Sequence, residues 1–195
     1  MRICLFGGTF DPLHIGHLCL AESVLNQINV DKVFFIPASN PPHKNKDTYN
    51  KFAHRYKMLE LSIRDRGKFF ISDIEELRNG ISYSVDTIGE FREKFRLKRE
   101  DIYFLIGSDS LINFDKWKEP QQILSLAQIL VAPRPTFEKE KVKAEYLSQV
   151  QFLHAPFMDV SSNMIRKLIR DGKSIRYLVS REVENYIYSN KLYVG

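Results

Sequence analysis

Two cysteines, one tryptophan and no long apolar run in 195 residues set the first limits on this chain. Cys4 and Cys19 form no CxxC pair and lie in apolar stretches, which reads as two reduced, buried thiols rather than a disulfide framework. No segment approaches the roughly 20 consecutive apolar residues of a membrane helix. Gly7 interrupts the first apolar run, so the amino terminus has no signal-peptide core. A cytoplasmic location without a membrane partner is the resulting expectation. Clustered carboxylates, repeats, low-complexity tracts and long linkers are missing as well. One domain over 1–195 is therefore expected, with a core over about 1–156 and a helical part over about 157–195.

What is present is ordered as in an α/β protein. Apolar runs at 2–6, 32–37, 68–74, 101–106, 128–132 and 150–154 read as strands. Phe52, Tyr56, Leu59 and Ile63 mark one helical face between them, and Val85, Ile88, Phe91 and Phe95 another. Helices near 161–171 and 180–189 close the chain. Strands alternating with helices predict a doubly wound, mainly parallel sheet with C-terminal helices, whose ligands bind beyond the carboxyl ends of the strands. The net charge of +5 suits an anionic ligand and equally nucleic acid. Acidic and basic residues alternate through 90–101 and 138–145, however, which describes a solvated surface and not a nucleic-acid stripe.

Residues 7–17, GGTFDPLHIGH, carry the most chemistry. Gly7 and Gly8 follow an apolar strand and permit close approach of an anion. Asp11-Pro12 turns the chain, and from His17 onward apolar residues recur at helical spacing. His14 and His17 thus fall at a helix N-terminus, where free amides and the helix dipole favour an anion. The stretch is neither a P-loop, having no GK[ST], nor a GxGxxG fingerprint. A metal on the two histidines is disfavoured because no Cys, Asp or Glu completes a ligand set. With ordinary pKa values near ~6.5, the histidines need a nearby phosphate to stay protonated at neutral pH.

Other candidates follow at the expected strand ends. Pro41-Pro42-His43-Lys44 stiffens a loop after the second strand, and Lys44 offers a point charge for phosphate, against a plain surface loop as the alternative. Tyr83-Ser84-Val85-Asp86-Thr87 opens a helix with Ser84 expected as its N-cap. Gly107-Ser108-Asp109 ends the fourth strand, and Trp117 stands between two lysines, so an aromatic face is available for a planar ring. Arg134 is held between two prolines. Ser161, Ser162 and Arg166 begin the penultimate helix and form a second anion site, or else an ordinary cap.

GGTFDPLHIGH, PPHK, YSVDT, GSD with Trp117, RP and SSNMIR stand in one order across Gly7 to Arg166, and together they resemble the bacterial nicotinate mononucleotide adenylyltransferase family of the HxGH nucleotidyltransferases. The resemblance implies AMP transfer from ATP to nicotinate mononucleotide, giving nicotinate adenine dinucleotide and pyrophosphate. It implies ATP contacts at Gly7, Gly8, Thr9, Phe10, His14, His17, Gly107, Asp109, Ser161, Ser162 and Arg166. Contacts to the mononucleotide are implied at His43, Lys44, Tyr83, Thr87, Trp117 and Arg134, with Thr87 at the pyridine carboxylate and Trp117 under the ring. His14, His17, Lys44 and Arg166 are the implied catalytic charges, and Mg²⁺ arrives on the phosphates of ATP rather than on a protein site. Asn163 departs from the Thr or Ser usual in this pattern. Rival readings are adenylyl transfer to nicotinamide mononucleotide or phosphopantetheine and, in another class, a noncatalytic RNA-binding module. The residues do not separate nicotinate from nicotinamide.

Overall fold

In the computed structural model, which describes residues 1–42, 49–134 and 137–194, six parallel strands form one sheet. They are β1 (Ile3–Gly8), β2 (Lys32–Pro37), β3 (Phe69–Ile71), β4 (Ile102–Gly107), β5 (Gln128–Ala132) and β6 (Val150–Phe152). The helices are α1 (Ile15–Gln27), α2 (Phe52–Ile63), α3 (Ile74–Arg78), α4 (Ser84–Phe95), α5 (Ser108–Ile112), α6 (Pro120–Leu126), α7 (Ala144–Leu147), α8 (Ser162–Arg170) and α9 (Arg181–Ser189). The sheet order β3-β2-β1-β4-β5-β6 is the doubly wound arrangement. The chain runs outward from β1 to β3, then restarts at β4 on the other side of β1, so the order reverses between β1 and β4.

Alternation along the strands explains the layers. Ile3, Leu5, Phe34, Ile36, Phe104 and Ile106 face one way and pack with Val85, Ile88 and Phe91 of α4 and Ile123 of α6. Cys4, Phe6, Val33, Phe35 and Leu105 face the other way, against Ala21 and Val24 of α1 and Leu59 and Ile63 of α2. Covering both faces is what a parallel sheet requires. A third cluster joins Met58 of α2 to Ile165 and Ile169 of α8 and Val183 and Ile187 of α9, which fixes the C-terminal helices beside α2. Both cysteines are free; Cys4 is buried, which pushes its thiol up and leaves it inert, whereas Cys19 is only half-buried.

Two local expectations are corrected. The third strand stops at Ile71 rather than reaching 74, because Ile74–Arg78 turns into α3 with Glu75 and Glu76 in its first turn. Tyr83, not Ser84, occupies the N-cap of α4, and Ser84 is the first helical residue.

The end of β1 is shaped by one buried ring. Phe10 has φ +50° and is 2% exposed, and its ring packs edge-on against Phe6 and Phe35. A Cβ on Gly8 would stand 2.8 Å from that ring, which has no room to move. Gly8→Ala should therefore destabilise the fold by about 1–3 kcal/mol through overpacking, read as a lower urea midpoint at unchanged m. An unchanged midpoint would contradict the packing.

Candidate active site

A cavity of about 320 Å³ opens at the carboxyl ends of β1, β2 and β4, where the strand order reverses. Gly7, Gly8, Thr9, Tyr83, Gly107 and Trp117, all expected at the site, line it together. Trp117 leans on Phe114 (ring centroids 5.3 Å) and meets Phe104 edge-on at 6.3 Å, which holds the indole in place at the cavity wall. Lys118 lies over the Tyr83 ring at 4.7 Å and pairs with Asp86 at 3.1 Å. Ser84, Val85 and Asp86, the first three residues of α4, have amides without an intrahelical acceptor.

Thr87 is placed differently from the expectation. It is 1% exposed and does not line the cavity. Its hydroxyl donates to Glu75 Oε1 at 2.8 Å and accepts from Arg78 at 3.1 Å, while its amide donates to the Tyr83 carbonyl. Both of its polar groups are thus committed within the protein. The charged residues that line the cavity are Glu75, Lys116 and Lys118. Residue-type reasoning passed over all three. The lysines carried a signal, since they flank Trp117, whereas Glu75 in an ordinary acidic run carried none.

The second half of the site begins at His14, the N-cap of α1. His17 Nδ1 accepts the backbone N–H of His14 at 3.2 Å, so its neutral ring is assigned a proton on Nε2. The two imidazoles stack, with centroids 3.7 Å apart. His14 Nδ1 is buried and has no hydrogen-bond partner among the described residues. A Cβ on Gly16 would come within 3.1 Å of that nitrogen, so the glycine of the HIGH string makes room for the ring. Phe10, expected at the ATP site, packs on His17 at 5.1 Å, belongs to the core and does not line the cavity.

Burial decides the charge of this pair. It pushes His14 down to about 4, with the Arg134 guanidinium adding to the effect. Burial, then His14, then Arg134 hold His17 well below the ordinary range. Burial thus favours the neutral form of both rings at pH 7, which makes them hydrogen-bond groups rather than the charges expected. Arg134 does not line the cavity. It pairs with Asp109 at 3.1 Å and exerts its charge on the histidines, which places both residues on the His14–His17 side of the strand ends.

The start of α8 docks on the turn after β1. Ser161 caps Met164 N at 3.2 Å and Ser162 donates to the Pro12 carbonyl at 2.9 Å. Arg166 donates to the Asp11 carbonyl at 2.6 Å and also to the side chain of Asn163. Asn163, the departure from the usual pattern, thus orients the guanidinium. His43 and Lys44 lie outside the described residues. A more open groove of about 520 Å³ runs along α4 and α6, lined by residues such as Gly89, Arg92 and Gln122, away from the strand ends.

The Cytidylyltransferase-like family model matches residues 5–168. A protein of Caldicellulosiruptor bescii named "Probable nicotinate-nucleotide adenylyltransferase" is 41% identical, covering 99% of each chain. The chain belongs to this family. A protein of the same name from Borreliella burgdorferi is 38% identical over 100% of this chain and 97% of its own. Among solved structures, Plasmodium falciparum nicotinic acid mononucleotide adenylyltransferase complexed with NaAD superposes with a TM-score of 0.80 at 20% identity, covering 98% of this chain and 97% of that one, a likeness of fold.

Membership makes the chain a nucleotidyltransferase, and family members that use ATP work with a divalent metal. Among the described residues, no group of three or more histidine, cysteine, aspartate or glutamate side chains converges to hold such an ion. No helix among them is long and apolar enough to cross a membrane.

The neutral histidines have a measurable consequence. A histidine with a lowered folded-state pKa takes up its proton more readily when unfolded, so stability rises with pH between about 4 and 6.5 and is lost as pH falls through that window. For His14 the span corresponds to roughly 3 kcal/mol. His14→Gln should flatten the acid limb of urea-derived stability between pH 7 and about 4.5; an unchanged limb would contradict a neutral, buried ring.

Proposed function

We infer that this protein transfers AMP from ATP to nicotinate mononucleotide, releasing pyrophosphate and nicotinate adenine dinucleotide, with Mg²⁺ carried on the phosphates of ATP. The observation that carries this reading is a ring-sized cavity, walled by Tyr83 and Trp117, opening at the same strand ends as the His14–His17 helix start. Full-length relatives bearing the corresponding name support it.

The attacking group is the phosphate of the mononucleotide, already ionised at neutral pH, so no protein base is required. Its oxygen forms a bond to the α-phosphorus of ATP while the bond from that phosphorus to the oxygen bridging to the β-phosphorus breaks. Pyrophosphate leaves with both electrons of that bond. The protein's share is positioning and charge neutralisation. The Gly16 amide in the first turn of α1, the Nε2–H of His17 and the unpartnered His14 nitrogen receive the phosphates, while the Ile15 amide is committed to the Leu178 carbonyl and the His17 amide to that of His14; Gly7, Gly8 and Thr9 lie below them. Arg134 and Arg166 supply the lasting positive charge, and Lys44 adds to it in the family pattern. Asp109, held by Arg134, and Gly107 face the nucleotide from the end of β4. Magnesium, when bound with ATP, offsets the remaining phosphate charge.

On the mononucleotide side, Trp117 stacks on the pyridine ring, and Tyr83 closes the opposite part of the wall. The ring carboxylate is received by the free amides at the start of α4, with Thr87 acting one layer behind by anchoring that helix to Glu75. Lysines 116 and 118 add positive potential at the same wall.

Purified protein given ATP, Mg²⁺ and nicotinate mononucleotide should release pyrophosphate and form the dinucleotide; no release would overturn the assignment. Trp117→Ala should raise KM for the mononucleotide about tenfold or more, the scale of a lost aromatic contact, and leave KM for ATP nearly unchanged. Equal effects on both substrates would remove Trp117 from the ring site.

A further inference from the structure

Asp11 is 2% exposed, and three segments bond to it. Its carboxylate accepts from Tyr193 Oη at 2.7 Å and from the side-chain and backbone nitrogens of Asn50 at 3.1 and 3.3 Å. Arg166 Nη1 bonds its carbonyl at 2.6 Å but stays 3.8 Å from the carboxylate. Arg55, fully buried in α2, donates to the carbonyls of Thr9 at 2.9 Å and Asn50 at 2.9 Å. Tyr193 reaches this point from beyond α9, 182 positions along the chain, with φ +64°. Burial and the neighbouring carboxylate push its phenol up, so it remains a donor at every working pH.

The stretched pair between Asp11 and Arg166 explains why that donor matters. A carboxylate already satisfied by Tyr193 and Asn50 has little need of the guanidinium, and Arg166 keeps its charge for another anion. Without the hydroxyl, Oδ1 loses its shortest bond, and among the described residues Arg166, 3.8 Å from Oδ2 of the same carboxylate, is the cation paired with it. We propose that Tyr193 is a positioning residue for polyphosphate binding: by occupying the Asp11 carboxylate it holds the turn after β1 in shape and keeps Arg166 available to the phosphates of ATP. The proposal rests on the reading that this half of the site receives the triphosphate.

Calorimetric titration of wild type and Tyr193→Phe with α,β-methylene-ATP, inorganic tripolyphosphate and nicotinate mononucleotide tests it. The variant should bind both polyphosphates about tenfold more weakly, the scale of a hydrogen bond to a charged group. Its affinity for the mononucleotide should stay within about twofold and its Tm within about 2 °C. Combined with Arg166→Lys, the loss should be smaller than the sum of the single losses, because the two residues act through one carboxylate. Unchanged polyphosphate affinity, an equal loss for the mononucleotide, additivity, or a larger fall in Tm would each overturn the proposal. Tripolyphosphate binding needs no adenylyl transfer, so a wild-type enzyme that released no pyrophosphate would sink the assigned reaction while leaving this readout intact.

Discussion

The His14–His17 half of the site depends on one short turn, from Gly8 to His14, being held in a shape that its own residues do not favour. Phe10 sits at a positive φ that a bulky residue seldom adopts, and it does so because its ring fills a gap between Phe6, Phe35 and His17. From there the chain passes through Asp11-Pro12 and reaches His14 aligned to start α1. The stack of His14 on His17, and the bond from the His14 amide to the His17 ring, then fix both imidazoles before any ligand arrives. Preorganisation of this kind lowers the cost of ordering groups around a bound polyanion.

Much of this arrangement was legible in the sequence because its elements are periodic and its motifs sit at strand ends. Gly7, Gly8, Tyr83, Gly107 and Trp117 converge on one cavity as their positions after β1, β4 and before α4 suggest. The resemblance to a known family supplied the substrate, which spacing alone could not. What escaped was decided by side-chain direction. Thr87 is one helical turn beyond the N-cap, and that offset points its hydroxyl inward to Glu75 rather than into the cavity. Phe10 lies in the motif but is turned into the core. Arg134, expected at the mononucleotide, does not line the cavity; its amide is fixed by Ser108 and its head by Asp109, and its charge acts on the histidines.

The charge state of the histidines was also out of reach of the sequence, since it is set by burial. A pair of solvent-exposed imidazoles would titrate near neutrality; these two are packed against each other, against Phe10 and near Arg134, and lose their protons early. The lasting positive charge in the site comes instead from arginines, whose guanidinium groups remain charged at working pH. A division follows between groups that aim hydrogen bonds and groups that balance charge, and it suits a reaction in which no proton has to move.

The same division gives the C-terminal helices a purpose beyond stability. α8 and α9 pack on α2 through their own apolar cluster, away from the sheet, and could have been a separate layer with no bearing on chemistry. Their polar ends argue otherwise. Ser162 and Arg166 grip the carbonyls of Pro12 and Asp11, so the β1–α1 turn and the α8 N-terminus hold each other at fixed distance. Two helix starts, one from each end of the chain, are thereby tied to one turn, and neither can shift without breaking bonds to the other. Residues 7 to 17 alone would leave the carbonyls of Asp11 and Pro12 without these partners. Bonding from the far end of the chain fixes the Arg166 guanidinium against that turn and sets the start of α8 beside His14.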